Sequence, residues 1–231
     1  SDRGVGGAVM NGDGYCDVVV ASASGIQLVL GVGSGFLEEG ALIRWSEIIV
    51  EEPLGSAREP QIALRDIDGD DDPDVIVVYR RAPPPNTLGP FGELSVLRND
   101  GGVLTPIARQ LIGLDELETP DAVASADLIG DSELDLVILG QEINDDPYYL
   151  VVLPGNGGGS FGPPELVTQW ATQSSVSLAM GDLNNDGKPD LVLNAPNNTF
   201  ALTQVFLNQN GAGFGAALQS YTFGRDATAV G

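Results

Sequence analysis

The chain lacks histidine and contains one cysteine, Cys16, so several classes of functional site are excluded at the outset. One cysteine cannot form a disulfide within the chain or supply the thiolates of a cysteine-rich zinc site. Without histidine, the chain has no Ser-His-Asp or Cys-His catalytic machinery. We therefore interpret Cys16 as a filler residue and not as a nucleophile.

Basic residues and long apolar runs are also scarce. Ten Lys and Arg residues stand against 33 Asp and Glu residues, which gives a net charge of −23 at pH 7. Such a surface repels nucleic acids and anionic membranes, because both bind proteins through Lys and Arg. The sequence has no uninterrupted apolar run long enough for a membrane-spanning helix. We therefore expect neither a nucleic-acid partner nor insertion into a membrane.

An aspartate-rich motif occurs four times at nearly constant spacing. The four copies begin at Val9, Asp66, Asp127 and Asp182, which are 57, 61 and 55 residues apart. Each copy is followed by a short run of apolar, β-forming residues and then by a second such run. A Gly/Asn-rich turn follows and, in three copies, leads to a phenylalanine. Four matches at this interval identify an internal repeat.

The pattern between the motifs predicts an all-β chain. Short apolar segments are separated by Gly, Asn and Pro, and no helical periodicity is present. Each repeat is interpreted as four strands with the acidic motif between the first and second, as in a β-propeller blade. One blade cannot bury both faces of its sheet, so neighbouring blades must stack. The single predicted propeller region has repeats at about 1–58, 59–118, 119–173 and 174–222, and 223–231 begins a further repeat.

The ends of the chain and two insertions leave alternatives open. The segments 3–8 and 228–231 both resemble the strand that introduces a motif. The chain is therefore either a piece of a larger propeller or an unusual small ring that an extra strand closes. The proline-containing insertions 82–86 and 144–147 are predicted to be exposed loops, since proline cannot donate to a sheet. They serve either as tolerated insertions or as contacts for a partner.

The motif has the ligand spacing of a calcium-binding loop. Calcium takes about 6–8 oxygen ligands at about 2.3–2.6 Å. In the motif, positions 1, 3, 5 and 9 supply side-chain oxygens, position 7 supplies a backbone carbonyl, and glycine at position 6 suits a left-handed turn. Without a cation, acids at this spacing repel one another strongly. An EF-hand is excluded, because position 12 is an apolar strand residue in every copy.

Two loops contain the complete ligand pattern, and we expect calcium in both. The second loop offers Asp66, Asp68, Asp70 and Asp74, with the carbonyl of Asp72. The fourth loop offers Asp182, Asn184, Asp186 and Asp190, with the carbonyl of Lys188.

The other two loops each lack one ligand. The first loop offers Asn11, Asp13 and Asp17, with the carbonyl of Tyr15, but has Val9 at position 1. The third loop offers Asp127, Asp131 and Asp135, with the carbonyl of Glu133, but has Ile129 at position 3. Both calcium binding and a solvated acidic turn remain open here, so the sequence predicts between two and four calcium ions.

The motif and the segments that follow it resemble the FG-GAP/VCBS repeat of integrin α-subunit-like β-propellers. The resemblance covers nearly the whole chain and is most specific at 182–190 and 208–214. Departures occur at Val9, Asp71, Ile129 and Ser132. The resemblance implies calcium in the loops, a secreted or cell-surface location, and recognition of a protein or glycan ligand. Such propellers usually have seven blades, and this chain shows four repeats.

These observations favour a non-catalytic module with structural calcium, acting in extracellular binding or adhesion or as a scaffold within a larger polypeptide. One alternative is a lectin that presents Trp45 and Trp170, which lie in equivalent predicted last strands, to a sugar. Another is a polysaccharide lyase or hydrolase. The enzyme is disfavoured because the clustered acids are assigned to calcium and Lys188 is the single lysine, so few general bases remain.

Overall fold

A computed structural model describes residues 4–49, 57–81, 92–112, 119–141, 147–170, 177–194, 201–209, 214 and 219–223. These residues form four antiparallel sheets of four strands, arranged as the blades of a β-propeller. In each sheet the strands pair in chain order, so each strand lies beside the one that precedes it. The predicted all-β propeller is confirmed.

The first two sheets occupy the N-terminal half of the chain. The first comprises β1 (Gly4–Ala8), β2 (Asp17–Ser22), β3 (Gly25–Gly31) and β4 (Leu37–Arg44). A one-turn helix, α1 (Trp45–Ile48), follows it. The second sheet comprises β5 (Ala57–Arg65), β6 (Asp74–Arg81), β7 (Gly92–Asp100) and β8 (Val103–Leu111).

The other two sheets repeat the same order. The third comprises β9 (Thr119–Ala126), β10 (Asp135–Gln141), β11 (Tyr148–Leu153) and β12 (Glu165–Trp170). The fourth comprises β13 (Ser177–Gly181), β14 (Asp190–Asn194), β15 (Ala201–Phe206) and β16 (Gln219–Phe223). Among the described residues, no helix is long and apolar enough to cross a membrane.

Consecutive sheets stack through their first strands, since β5 contacts β1 and β9, and β9 contacts β13. Alternate residues of a second strand then face opposite neighbours. In β6, Val75 and Val77 join the core shared with the first sheet, whereas Ile76 and Val78 join the core shared with the third. All four are fully buried, so β6 has the continuous apolar sequence of a strand covered on both faces.

A buried aspartate joins the start of each second strand to the end of the third strand. One carboxylate oxygen of Asp74 accepts from the Ile67 N–H at 2.9 Å, and the other accepts from the Asn99 N–H at 2.8 Å. The same pair of bonds is made by Asp17, Asp135 and Asp190. All four aspartates are fully buried. Because each carboxylate satisfies N–H groups from two segments, it fixes the loop against the sheet.

Two asparagines connect neighbouring sheets. Asn99, at the end of β7, donates its side-chain N–H to the carbonyl of Met10 in the first sheet's loop at 2.8 Å. Asn208, which follows β15, donates to the carbonyl of Leu128 in the third sheet's loop at 2.9 Å. Both asparagines are almost completely buried, so these bonds set the position of one sheet against the next.

Trp45 does not lie in a last strand, as predicted from the sequence, but begins α1. It is 4% exposed, its indole N–H donates to the carbonyl of Ser22 at 2.8 Å, and its ring centroid lies 5.1 Å from that of Tyr79. Trp45 therefore packs between the first and second sheets and cannot serve as a platform for a sugar. Trp170 is the last residue of β12, and its side chain lies outside the described residues.

Most of the two proline-containing insertions also lie outside the described residues, because the structure describes neither 82–91 nor 142–146. Their predicted exposure stays a prediction.

We predict that Asp135→Asn destabilises the fold even when calcium is removed. The Asp135 carboxylate accepts hydrogen bonds from the N–H groups of Leu128, Ile129 and Gly155. An asparagine amide would turn its N–H₂ group toward one of these donors, so that a buried N–H group would lose its acceptor. The loss lowers the free energy of unfolding by about 1–3 kcal/mol. Urea denaturation in EGTA measures the loss.

Asp100→Asn is the matched control for this experiment. Asp100 pairs with Arg98 at 2.9 Å, but its side chain is 53% exposed, and exposed ion pairs contribute about 0–1 kcal/mol. Equal stability of Asp135→Asn and the wild type would show that the buried carboxylate does not hold the loop to the sheet.

Candidate metal centre

All four acidic motifs form the connection between the first and second strands of a sheet, at 9–16, 66–73, 127–134 and 182–189. Because the strands are antiparallel, each loop lies at the same end as the turn that follows the third strand. A direct bond shows this in the second sheet, where the Gly101 N–H donates to the Asp72 side chain at 2.9 Å. The motifs therefore line one end of the propeller.

Two positions in each loop adopt left-handed backbone. Position 6 does so in every copy, with φ of 84° at Gly14, 71° at Asp71, 74° at Ser132 and 85° at Gly187. The left-handed turn predicted there is confirmed, including where glycine is replaced. Left-handed backbone at position 4 was missed, although the sequence carries a signal for it. That position is occupied by Gly12, Gly69, Gly130 and Asn185, which are residue types that tolerate positive φ.

In the second loop, the left-handed turns direct backbone N–H groups at the first aspartate. The two carboxylate oxygens of Asp66 accept from the N–H groups of Gly69 at 2.7 Å and Asp71 at 3.0 Å. Asp70 accepts from the N–H of Asp72 at 2.9 Å, which closes the next turn of the loop. The loop thus holds its carboxylates in place through its own backbone.

This arrangement brings three carboxylates of the second loop together. One oxygen from each of Asp66, Asp68 and Asp74 lies within 4.8 Å of the others. Two oxygens bound to one calcium ion at about 2.4 Å each can be at most about 4.8 Å apart. The three oxygens therefore fit around a single calcium ion, and the donor set consists of the hard oxygens that calcium prefers.

The electrostatics of the second loop reflect this crowding. Burial, together with the charges of Asp68 and Asp70, raises the pKa of Asp74 despite the N–H groups of Asn99 and Ile67. The pKa of Asp66 is lowered instead. Burial acts to raise it, but the hydrogen bonds from the N–H groups of Gly69 and Asp71 have the larger effect and hold the pKa below its usual value. The hydrogen bonds of the loop thus keep Asp66 ionised, while the negative charges of Asp68 and Asp70 repel that of Asp74. A cation would relieve that repulsion.

The fourth loop repeats the backbone arrangement of the second. Asp182 accepts from the N–H groups of Asp186 at 3.1 Å and Gly187 at 2.9 Å, and these bonds, led by that of Gly187, lower its pKa. Asn184 donates to Asp186 and accepts from its N–H, and Asp186 accepts from the N–H of Lys188. Among the residues that the structure describes, three acids whose oxygens lie within 4.8 Å of one another are nevertheless found in the second loop and not in the fourth.

The first loop has part of this network. Asn11 and Asp13 pair at 3.0 Å as Asn184 and Asp186 do, and Asp13 accepts from the N–H of Tyr15 at 2.8 Å. Val9 supplies no side-chain oxygen at position 1. The predicted ligands Asn11, Asp13 and Asp17 therefore lie in one loop, with one ligand fewer than in the second.

The third loop has the hydrogen bonds to its position-1 and position-5 aspartates. Asp127 accepts from the N–H groups of Gly130 at 2.7 Å and Ser132 at 3.0 Å, and Asp131 accepts from the N–H of Glu133 at 3.0 Å. The Glu133 carboxylate lies against Gly157 in the turn after β11. Only the backbone carbonyl of Glu133 is therefore suited to the position-7 role, and Ile129 leaves position 3 without an oxygen.

A cavity of about 580 Å³ lies beside the third acidic loop, between the third and fourth sheets. The residues that line it include the exposed acids Asp131 and Glu165 and the apolar side chains of Leu166, Val167 and Phe214. Sequence analysis missed this cavity, because its lining comes from two repeats whose relative position depends on how the sheets stack.

Comparison with known proteins agrees with the fold. No curated protein matches the chain. A solved structure of an Agrocybe aegerita lectin that specifically recognises non-reducing terminal N-acetylglucosamine is similar to this chain. The similarity covers 95% of this chain, with 21% identity and a TM-score of 0.54. The chain spans 52% of that structure's length. At this identity the likeness shows the fold alone.

Family models identify the repeat itself. The model of the FG-GAP-like repeat matches residues 10–77 and 127–193, and that of the FG-GAP repeat matches residues 175–217. The matched segments include the first acidic loop from its second position, the other three loops in full, and more than half of the chain. The chain therefore belongs to the FG-GAP-like repeat family.

Proposed function

We propose that the chain is a non-catalytic binding module in which calcium has a structural role, within a secreted or cell-surface protein. The observation that carries this proposal is the set of Asp66, Asp68 and Asp74 oxygens within 4.8 Å of one another. Two unit charges at 4 Å repel by about 1 kcal/mol in water and by about 4 kcal/mol near a protein surface. Bound calcium supplies the positive charge that offsets this repulsion.

The proposed ligands of the second site come from both the loop and the sheet. Asp66 and Asp68 belong to the loop, whereas Asp74 is the first residue of β6 and is bonded to Asn99 at the end of β7. An ion held by all three therefore connects the loop to the sheet. Asp70 and the carbonyl of Asp72 complete the proposed ligand set, and the fourth loop forms the second proposed site.

A secreted or cell-surface location fits sites of this kind. Extracellular calcium modules bind with Kd of about 10⁻⁴–10⁻³ M, and such sites need a calcium concentration in that range. FG-GAP repeats are typical of extracellular proteins, and the net charge of −23 suits an environment with abundant divalent cations. We propose a protein or glycan as the ligand of the module.

We propose carbohydrate binding as a second candidate function, on the basis of the cavity between the third and fourth sheets. Asp131 and Glu165 can accept hydrogen bonds from sugar hydroxyls, while Leu166, Val167 and Phe214 offer apolar contact to the ring. The similar propeller fold of a lectin that recognises terminal N-acetylglucosamine supports this candidate. Glycans ending in N-acetylglucosamine are therefore the first probes to use.

Calcium is predicted to raise the melting temperature of the chain. A ligand present at about 100 times its Kd stabilises the folded state by about 2.7 kcal/mol, which corresponds to roughly 5–10 °C for a chain of this size. Melting curves recorded in about 10–100 mM calcium, which is about 100 times the Kd of extracellular calcium modules, and in EGTA measure the difference. Equal melting temperatures in the two buffers would contradict the proposal.

The variant Asp68→Ala separates lost calcium binding from general damage to the fold. Asp68 is exposed, so the substitution removes one ligand oxygen and one charge from the cluster and no buried contact. We expect the calcium-dependent rise in melting temperature to shrink, while stability in EGTA stays the same or increases because repulsion is reduced. Asp100→Ala is the control and should keep the full calcium response.

Glu165→Ala is predicted to weaken glycan binding if the cavity holds a sugar. A hydrogen bond to a charged group contributes about 1.5–3 kcal/mol, so its loss should raise Kd at least about tenfold. Glu38→Ala, at an exposed glutamate in β4, is the matched control. Calorimetric titration with an N-acetylglucosamine-terminated oligosaccharide checks this, and equal affinity of both variants would remove the cavity from consideration.

A further inference from the structure

The cavity between the third and fourth sheets is lined by polar side chains that all present hydrogen-bond acceptors. Among the described lining residues, the polar ones are Asp131, Glu165 and Asn208. An ionised carboxylate can accept hydrogen bonds but cannot donate them. None of the described lining residues is a lysine or an arginine. The lining therefore carries negative charge and no positive charge of its own.

Both carboxylates are positioned by the third sheet. Asp131 lies in the third acidic loop, where one of its oxygens accepts from the N–H of Glu133 at 3.0 Å, so the other oxygen is left for a ligand. Glu165 is the first residue of β12, and its backbone pairs with that of Val152 in β11, another lining residue. Both acids are exposed, so a ligand in the cavity can reach them.

The amide nitrogen and the amide oxygen of Asn208 differ in their partners. The nitrogen donates to the carbonyl of Leu128, which joins the two sheets. The oxygen is buried and accepts no hydrogen bond from the described part of the chain. In the second sheet, Asn99 makes the corresponding bond to Met10, but its oxygen also accepts from the N–H of Gly102 at 2.8 Å. Asn208 thus adds a third acceptor to the lining.

A primary ammonium group has the chemistry that this lining requires. It carries one positive charge and three N–H donors and has no acceptor. Hydrogen bonds between ionised partners are roughly twice as strong as those between neutral groups. The carbonyl oxygen of an N-acetyl group, by contrast, would meet no side-chain donor among the described lining residues. The apolar side chains of Leu166, Val167 and Phe214 suit the carbon skeleton to which the amine is attached.

We infer that the cavity binds an amino sugar through its free ammonium group, held by Asp131 and Glu165. The inference rests on the carbohydrate-binding candidate above and names the class of sugar, which is glucosamine without an acetyl group. The lectin of similar fold recognises the acetylated sugar, whereas the lining of this cavity favours the charged one. The volume of about 580 Å³ lies within the range of about 300–1,000 Å³ of sites for small ligands.

Two tetrasaccharides of equal length, one of glucosamine and one of N-acetylglucosamine, test the inference by calorimetric titration. The titrations are made in EGTA, which keeps calcium away from Asp131, and at about pH 6, where amines are protonated and carboxylates are ionised. The Kd of the glucosamine tetrasaccharide should be about tenfold lower, because charge-assisted bonds replace neutral ones. The difference should shrink as salt rises from about 0.05 to 0.5 M, since salt screens the attraction between ligand and carboxylates.

Two variants of equal charge separate the cavity from the acidic surface as a whole. Glu165→Gln removes the charge but keeps an acceptor oxygen, so it should narrow the difference in Kd between the two sugars to less than about threefold. Glu38→Gln, at an exposed glutamate in β4, removes the same charge far from the cavity residues in sequence and should keep the full difference. Equal effects of both variants would overturn the inference, because the total charge of the chain would then explain the attraction.

The remaining outcomes distinguish the inference from the function on which it rests. If the wild-type chain binds the N-acetylglucosamine tetrasaccharide as tightly as the glucosamine one, or more tightly, the inference is wrong and carbohydrate binding is retained. If the chain binds neither tetrasaccharide, both the inference and the carbohydrate-binding candidate are contradicted.

Discussion

Each sheet of this propeller depends on a buried carboxylate at the start of its second strand. Asp17, Asp74, Asp135 and Asp190 are fully buried, and each accepts hydrogen bonds from its own loop and from the end of the third strand. A buried charge is tolerated when it is fully hydrogen-bonded, and it then specifies one arrangement of the segments that bond to it. These aspartates therefore determine both the shape of the acidic loop and its position on the sheet. In the second loop the same carboxylate, Asp74, also completes the candidate calcium site.

The stacking of the sheets follows from the period of the strands. Alternate residues of β6 and β10 enter different cores, so each interior sheet is covered on both faces. The stacking also brings residues from two repeats together, as in the bond from Asn99 to Met10 and in the cavity between the third and fourth sheets. The two end sheets use the same sequence pattern but expose Val5 and Leu183. One repeating interface thus explains both the core and the cavity.

Sequence analysis predicted the features that depend on local chemistry. The four-stranded repeats, the loop between the first and second strands and the left-handed backbone at Gly14 and Gly187 follow from spacing and residue type. The features it missed depend on distant segments. Trp45 was placed in a strand because its repeat has a β-type pattern. In the structure Trp45 begins a helix, and its ring packs against that of Tyr79. The second hydrogen bond of each buried aspartate comes from a residue between 14 and 25 positions away, which no local pattern indicates.

The central claim is that the carboxylates of Asp66, Asp68 and Asp74 hold a calcium ion. A crystal structure grown in millimolar calcium, with anomalous diffraction collected at long wavelength, tests this directly. The claim predicts an anomalous peak about 2.3–2.6 Å from one oxygen of each of the three side chains. Well-ordered density for the loop with no anomalous peak between these carboxylates would contradict it.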